Sequence, residues 1–370
     1  VRRSFGFAIQ ARQTLAIARS SFRTLAASLP GLFLLAVYPL FVALVLVVES
    51  EHWGVPLLAR TGYVLAKHVT APLAHVAGYR VVVPLLVVYF AGELVWRERD
   101  AGLGESFDAA PVPEWVLFLG KLLGLGLVLA ALMTALAAAA VLAQAVMGYH
   151  DYEVGLSLRI LFGLQLPEYL LFAVAALVVQ AVVNQRYVGL LAALVAYLCI
   201  VFAPVLGIEH PLLVYGSGPR WSYTDMRGFG ASLGPWLWLK LYWAAWALLL
   251  AVVARLLWPR GWEPGFGARL RMARRRLSRA TAGVAALAAG LVLGLGGFVF
   301  YNTSVLGEYR TAAGSVKRQA EYERRYGRFE GIPQPERTGT RLRVEIHPDR
   351  GAAAVRGTYR LVNRHAAPID

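Results

Sequence analysis

The sequence contains one cysteine and few charged residues, and both shortages exclude classes of protein. A single cysteine, Cys199, excludes an intramolecular disulfide framework and any zinc or iron–sulfur site built from cysteines. Charged residues make up 16% of the chain and hydrophobic residues 58%, whereas soluble domains average about 25% and about 45–50%. The chain is therefore neither an ordinary soluble domain nor a disordered one. Because Cys199 lies in an apolar run, we expect it to be buried.

The sequence also lacks the short motifs of nucleotide, peptidase and metal chemistry. No Gly-x-x-x-x-Gly-Lys-[Ser/Thr] occurs, so the chain does not bind ATP through a P-loop. Neither His-Glu-x-x-His nor Gly-x-Ser-x-Gly is present. His68 and His75 can share a helical face, but no carboxylate accompanies them. We predict no catalytic residue, no metal ion and no cofactor within this chain.

The apolar residues are concentrated in runs of the length that crosses a bilayer. A hydrocarbon core of about 30 Å requires about 20 apolar residues in a helix. Seven runs predict transmembrane helices: Gly31–Val48, Val81–Trp96, Lys121–Met147, Pro167–Val183, Tyr187–Leu206, Trp236–Trp258 and Thr281–Tyr301. Two other apolar stretches, 55–77 and 154–166, are interrupted by proline, glycine and charge. We interpret these two as interfacial or re-entrant segments outside the membrane core.

The formal net charge of +15 is first a signal of topology. Lys and Arg are retained on the cytoplasmic side of short connections. The basic-rich segments all fall on one side of the predicted spans: Arg2, Arg3, Arg12, Arg19 and Arg23; Arg97 and Arg99; Arg186; and Arg260, Arg269, Arg271, Arg274, Arg275, Arg276 and Arg279. This distribution predicts a multi-pass protein of the plasma (inner) membrane with a cytoplasmic N-terminus and an extracytoplasmic C-terminus. It does not predict nucleic-acid binding.

The segment before the first span has the pattern of a membrane-surface helix. Arg12, Arg19 and Arg23 fall on one face at 3.6 residues per turn. Apolar side chains cover much of the remaining circumference, and Pro30-Gly31 interrupts the chain where the first span begins. A basic amphipathic helix that lies on the bilayer surface is the prediction.

Residues at and within the spans give three further expectations. Several tryptophans lie at span ends, where the bilayer interface favours them: Trp53, Trp96, Trp115, Trp221, Trp236 and Trp258. Gly120-x-x-x-Gly124 and Gly290-x-x-x-Gly294 predict close helix packing. The ionisable residues nearest the spans are few, and we expect them to reach the interface and anchor the helices: Glu93, Glu168, Lys240 and Arg255. So few charges argue against proton- or ion-coupled transport.

The connection between the second and third spans carries most of the functional signal. It reads from Glu93 through Trp-Arg-Glu-Arg-Asp and Gly-Leu-Gly-Glu to Pro113. This run resembles the cytoplasmic connection in permease subunits of type-2 ABC transporters. That family has an amphipathic N-terminal helix, six spans, a charged coupling helix between the second and third spans, and an external loop with short helices between the fifth and sixth. The loop Gly207–Pro235 has that last character, and the resemblance covers Arg12 to Trp258.

The resemblance implies an ATP-driven exporter whose ATP-binding subunit is a separate protein. That subunit would dock on the connection 97–113, and the predicted docking residues are Arg97, Glu98, Arg99, Asp100 and Glu105. The implied partners are the lipid bilayer, the ATP-binding subunit, and a second permease half or a second copy of this chain. The alternative interpretation of the connection is a solvated loop whose charges only fix the topology.

The C-terminal segment changes from apolar to polar after the seventh span. Residues 306–329 predict an exposed helix that ends by Gly331 and Pro333, followed by two strands, Thr340–His347 and Val355–Asn363, with Gly351 between them. Two strands do not make an independent domain, so we expect the chain to stop within a β-domain.

This segment resembles the junction in bacterial proteins that fuse a type-2 permease to an extracytoplasmic metallopeptidase of the aminopeptidase N family. The similarity runs from Asn302-Thr-Ser-Val-Leu through Tyr322-Glu-Arg-Arg-Tyr326 to the run that begins at Leu342. The family's zinc helix is absent from these residues, so zinc is expected only in a catalytic part beyond them. The alternative function is therefore a membrane anchor for an external zinc aminopeptidase.

Together these patterns predict an all-α polytopic membrane protein with about seven transmembrane helices. An interfacial N-terminal helix precedes them, and a short external helix and the first strands of a β-domain follow. The predicted divisions are a cytoplasmic amphipathic helix, a six-helix permease domain, a basic cytoplasmic linker, the seventh transmembrane helix and an extracytoplasmic segment: 1–30, 31–258, 259–280, 281–301 and 302–370.

Overall fold

The computed structural model describes residues 6–51, 59–75, 78–258, 265–307, 309, 311–330, 332–350, 352–365 and 368–369. The remaining positions, among them Arg2, Arg3, Trp53, Arg260, Gly331 and Gly351 of the sequence predictions, lie outside the described residues. The chain divides into two compact units, residues 1–309 and residues 310–370.

The first unit is a helical bundle. Its helices in chain order are α1 (Phe7–Ala27), α2 (Leu29–Glu49), α3 (Gly78–Asp100), α4 (Gly104–Asp108), α5 (Glu114–Val146), α6 (Val154–Val183), α7 (Arg186–Val201), α8 (Gly230–Leu257), α9 (Phe266–Arg276) and α10 (Arg279–Leu306). Six helices of the described residues, α2, α3, α5, α6, α8 and α10, are long and apolar enough to cross a membrane. The predicted all-α polytopic membrane fold is confirmed.

Helix α6 begins 13 residues before the predicted fourth span, so residues 154–166 form one continuous helix with that span. The interpretation of this stretch as lying outside the membrane core stays a prediction. The helix contains a π-helical stretch, Arg159–Gln165, in which Leu166 N–H bonds to the carbonyl of Leu161. Pro167 follows immediately. Proline has no N–H for an α-helical hydrogen bond, and its ring clashes with the carbonyl of the preceding turn. The wider π turn before Pro167 makes room for the ring and requires no hydrogen bond from the proline. The proline therefore marks a local widening and the helix continues through it.

The predicted fifth span, by contrast, is shorter than expected. Helix α7 has 16 residues and ends at Val201, which corresponds to about 24 Å of helix. Pro204 follows within three residues and disfavours continuation of the helix. The seventh predicted span is longer than expected, since α10 continues through a π-helical stretch to Leu306.

The stretch 55–77 does not form a helix that crosses the bundle. Within the described part, a short helix at Thr61–Val64 continues as a π-helical turn at Leu65–Val69, and a 3₁₀ turn follows at Leu73–His75. The side chain of Gln144 holds this segment against the end of α5, because its Nε2 donates to the carbonyl of Ala59 at 2.7 Å.

Helix α1 packs along the first half of α5. A methyl group added at Gly124 would lie 2.4 Å from Cβ of Ser21, and one at Gly120 would lie 2.7 Å from Cγ2 of Ile17. The two glycines therefore allow α1 to approach closely, and the packing predicted for this pair is confirmed. For Gly290 and Gly294 of α10, the described residues bring nothing within 4 Å.

Burial corrects two expectations from the sequence. Cys199 is exposed on the outer face of α7, so the prediction that it is buried is wrong. Leu191, Val195 and Leu198 of the same helix are also exposed, so the other described helices leave this face of α7 uncovered. Trp96, Trp236 and Trp258 are buried, although they stand at helix ends. These rings contact other side chains of the bundle: Trp96 donates a hydrogen bond to Gln180, and Trp258 packs edge-on against Phe118.

The second unit contains one helix and one hairpin. Helix α11 (Ala312–Tyr326) begins at Thr311, whose side chain accepts a hydrogen bond from Gly314 N–H. Strands β1 (Glu336–His347) and β2 (Ala352–Val362) pair antiparallel, with Val344 opposite Val355. The predicted C-terminal helix and two strands are confirmed, although each strand begins a few residues earlier than expected. The apolar side chains of β1, Leu342, Val344 and Ile346, are exposed.

Candidate functional site

The bundle of the first unit has two ends, which we name by what lies there. The connection end is where α3 ends and α5 begins, at residues 93–121. The cavity end is where α3 begins and α5 ends. The C-termini of α6 and α8 also lie at the connection end, because Gln180 of α6 accepts a hydrogen bond from Trp96 of α3, and Trp258 at the end of α8 packs edge-on against Phe118 of α5.

A glycine in the left-handed conformation ends α3 and turns the chain into the connection. Gly102 has φ +73°, Leu103 N–H bonds to the carbonyl of Glu98 at 2.9 Å, and Gly102 N–H bonds to the carbonyl of Arg99 at 3.0 Å. These two bonds form the Schellman motif, which requires a residue with positive φ. The short helix α4 follows, and Pro113 precedes the first residue of α5. The local sequence therefore fixes the hairpin-like path of the connection.

A buried lysine joins the two helices that flank the connection. Lys121 of α5 is 2% exposed, and its Nζ lies 2.8 Å from Oε2 of Glu98. The same ammonium donates to the carbonyl of Leu94. A buried ammonium requires such partners, since leaving it unpaired would be strongly unfavourable. Glu98 therefore holds α3 against α5.

A second set of contacts ties the connection to the turn between α6 and α7. Arg186 bonds to Asp100 and to Oε2 of Glu93, the latter at 3.1 Å. Nearby, Trp96 Nε1 donates to Oε1 of Gln180 at 3.0 Å in a buried environment. The turn itself is formed by Asn184, which has φ +55°. Three helices thus position the acidic side chains of the connection.

The predicted docking residues divide into two groups. Glu98 and Asp100 make the ion pairs that hold the connection in place. Arg97 and Glu105 are exposed, and Arg99 is half-buried with its guanidinium 5.5 Å from the centre of the Trp96 ring. Leu103 is an exposed apolar side chain beside them. The exposed surface of the connection, defined by Arg97, Leu103 and Glu105, is named the connection surface.

Two basic residues of the predicted linker have a structural role that the charge rule does not indicate. Arg269 is buried and donates to the carbonyls of Ala181 and Val182, at 2.6 and 2.7 Å, at the end of α6. Arg276 donates to the carbonyl of Trp258 at 2.9 Å, just beyond α8. Cations at helix C-termini satisfy unpaired carbonyls and interact favourably with the helix dipole. Periodicity alone contains no signal for such partners.

The predicted membrane-surface residues share one face of α1. Arg12, Arg19 and Arg23 are all exposed. The opposite face carries the small residues Thr14, Ala18 and Ser21 and packs on α5. The contact of the arginine face with lipid stays a prediction.

At the cavity end, a second buried lysine contradicts the expectation that ionisable residues of the spans reach the interface. Lys240 of α8 and Glu168 of α6 are each buried, and Nζ of Lys240 lies 3.0 Å from Oε1 of Glu168. Lys240 also donates to the carbonyl of Gly216 at 2.6 Å, and Leu73 N–H donates to Oε2 of Glu168 at 2.9 Å. The pair therefore binds two loops to two spans, which the sequence spacing of 168 and 240 does not reveal.

The last feature of the site is the position of the side chains that commonly bind metal ions relative to one another. Among the residues that the structure describes, no three His, Cys, Asp or Glu side chains lie together in a way that holds a metal ion.

Comparison with known proteins identifies a family model over the first half of the bundle. Residues 29–204 match the model described as ABC-2 family transporter protein. The matched region runs from the start of α2 to just beyond α7 and includes the whole connection. This match supports a type-2 ABC permease embedded as a multi-pass membrane protein. No curated protein matches the chain.

Proposed function

We propose that the chain is the membrane-spanning permease subunit of an ATP-driven ABC exporter of the plasma (inner) membrane, with a cytoplasmic N-terminus. A separate ATP-binding subunit docks on the connection 97–113, and a second permease half or a second copy of this chain completes the transporter. The observation that carries the proposal is the rigid connection inside the region that matches the family model.

The geometry of the connection suits transmission of force from a soluble partner. Ion pairs from Glu98 to Lys121 and from Asp100 to Arg186 fix the connection to α5 and to the α6–α7 turn. A push on α4 would therefore move three helices together. A solvated loop that only fixes the topology has no need of these partners, and so they favour docking over the alternative.

The direct test is co-purification of an ATP-binding subunit with the chain from its native membrane. The tagged chain, extracted in mild detergent, is assayed for bound protein that hydrolyses ATP. Replacing two residues of the connection surface, in the variant Leu103→Asp/Glu105→Arg, should abolish the co-purifying ATPase activity, because it reverses one charge and replaces one apolar side chain of the proposed contact. Both side chains are exposed, so we expect the fold to be retained.

The matched control is Arg279→Gln, which changes an exposed charge at the start of α10. We expect it to retain the ATPase activity. Absence of any ATP-binding protein with the unmodified chain would contradict the proposal, as would full activity in the Leu103→Asp/Glu105→Arg variant.

The alternative function is an anchor for an external zinc aminopeptidase. The observation that favours it is the second unit, in which the hairpin of β1 and β2 exposes the apolar side chains of one face. Further strands or a further domain would cover such a face. Reading the gene beyond the codon for Asp370 tests this alternative, since it requires a His-Glu-x-x-His sequence downstream.

A further inference from the structure

The cavity end of the first unit contains a cavity of about 850 Å³ between two segments of the chain. One wall is formed by residues between 60 and 72 together with Arg80 near the start of α3, and the other is the loop 220–226 that precedes α8. The walls touch where the ring of Tyr223 lies against Gly62: a methyl group added at Gly62 would come within 2.3 Å of it. The cavity is thus formed by defined contacts within one unit.

The loop wall is a tight turn. Thr224 and Gly228 pair through two backbone hydrogen bonds, of 3.0 and 2.7 Å, and Gly228 has φ +57°. The rings of Trp221 and Tyr223 each pack edge-on against Phe229. Asp225 of this turn bonds to Arg60 across the cavity, and that hydrogen bond raises the pKa of Arg60. The turn is therefore held against Arg60 and Gly62 of the other wall.

The lining is strongly basic. Four cationic side chains line the cavity, Arg60, Lys67, Arg80 and Arg220, against one carboxylate, Asp225. Asp225 is paired with Arg60, and the lining as a whole has an excess of cationic side chains over carboxylates. Lys67 donates to the hydroxyl of Tyr63 at 2.6 Å, which directs its ammonium along the wall. Such a lining attracts an anion.

Arg80 supplies the second, independent sign of a ligand. Its Nη1 donates to the carbonyls of Lys67 and Thr70 at 3.0 and 3.1 Å, so the guanidinium is held in one orientation. Its Nε is buried and has no hydrogen-bond partner among the described residues. Buried donors in native proteins are nearly always satisfied, by protein, water or a ligand. A guanidinium of the cavity lining that is held in one orientation suits the oxygens of a phosphate or carboxylate.

Aromatic rings in the cavity lining indicate the kind of molecule that carries the anionic group. Tyr63, Trp221 and Tyr223 line the same cavity, and α3 begins at its edge with Gly78. Tyrosine and tryptophan beside basic residues at the ends of membrane spans suit an amphipathic molecule with an anionic group.

We propose that this cavity binds a phosphate-bearing anion, with Arg80 and Arg220 on the phosphate oxygens and Lys67 adding charge. The same chemistry is presented by the headgroup of an anionic phospholipid and by a soluble phosphate ester. The site requires neither the ATP-binding subunit nor transport, so the binding proposal is tested independently of the proposed function.

Binding is measured on the full chain in nanodiscs by two arms. In the first, native mass spectrometry counts the phosphatidylglycerol retained from nanodiscs that contain it at low fraction in phosphatidylcholine. In the second, inorganic phosphate and glycerol 3-phosphate are titrated onto nanodiscs of phosphatidylcholine alone, and thermal unfolding is followed. Retention of phosphatidylglycerol that soluble phosphate does not displace identifies a lipid headgroup as the ligand. Stabilisation by soluble phosphate identifies a free anion.

Variants link the binding to this cavity. Arg220→Gln and Arg80→Gln should each weaken binding about tenfold, as expected for the loss of one charged hydrogen bond. Arg220 is exposed, so its variant is informative even if Arg80→Gln disturbs the carbonyls that it holds. Arg227→Gln is the matched control, an exposed arginine of the same loop outside the cavity lining. Absence of binding in both arms would overturn the proposal, and so would equal binding by the Arg220→Gln and Arg227→Gln variants.

Discussion

The two ends of the bundle each contain a buried lysine, and the two lysines have different surroundings. At the connection end, Lys121 pairs with Glu98, whose side chain is 28% exposed and remains in contact with solvent. At the cavity end, Lys240 pairs with Glu168, whose side chain is 4% exposed and also accepts a bond from Leu73 N–H. The connection end is therefore held by a pair at its margin, and the cavity end by a pair enclosed within it.

This difference suggests different tolerances to change. A carboxylate at the margin regains hydration when its partner is removed, whereas an enclosed one does not. We therefore expect the cavity end to be the more rigid, with its loops held by polar bonds to the spans. The connection end is held by a pair at its margin and has an exposed surface, as a site of contact with another protein requires.

The largest effect is expected at the enclosed pair. Lys240→Met leaves the Glu168 carboxylate buried without its cation, and such a change typically lowers the free energy of unfolding by about 3–5 kcal/mol. The measurement is denaturant-induced unfolding of the purified chain in detergent. The double variant Lys240→Met/Glu168→Gln should recover part of the loss, because the amide oxygen still accepts from Leu73 N–H without a buried charge. Equal stability of the single variant and the unmodified chain would contradict the enclosed pair.

A smaller effect is expected at the marginal pair. Lys121→Met removes the partner of Glu98, and we expect a loss of about 1–3 kcal/mol in the free energy of unfolding. The loss is smaller than at Lys240 because Glu98 can turn toward solvent. The same unfolding measurement applies. A loss in the free energy of unfolding larger than that of Lys240→Met would contradict the predicted difference between the two ends.

The smallest effect on stability is expected at two glycines that end helices, and only one of the two variants is expected to affect function. Gly102 and Gly148 both end a helix in the left-handed conformation, with φ +73° and +76°, one at each end of the bundle. Replacing either by alanine should cost about 1 kcal/mol of stability, since alanine disfavours positive φ. We expect only Gly102→Ala to reduce the co-purifying ATPase activity, because only Gly102 sets the path of the connection. Equal co-purifying ATPase activity in the Gly102→Ala and Gly148→Ala variants would contradict the prediction that the path of the connection determines docking.

The sequence predicted the membrane fold well because apolar length is a local property. It misplaced the start of α6, since Pro167 looks like a helix end unless the π turn before it is known. It predicted Cys199 as buried and did not indicate that Trp96, Trp236 and Trp258 are buried, because an apolar run does not show which face of its helix is covered by other helices. The pairs of Lys121 with Glu98 and of Lys240 with Glu168 depend on how the helices are rotated against each other. Spacing along the chain contains no record of that rotation.

The most direct test of the proposed function is site-specific cross-linking in native membranes. A photoreactive residue is introduced by Glu105→p-benzoylphenylalanine on the connection surface, and by Met226→p-benzoylphenylalanine at the cavity end, where Met226 is 97% exposed. After irradiation, a radioactive azido-ATP label reports whether a nucleotide-binding protein is attached. If the ATP-binding subunit docks on the connection surface, we expect a labelled adduct from position 105 and none from position 226. No labelled adduct from position 105, or one from position 226 alone, would contradict it.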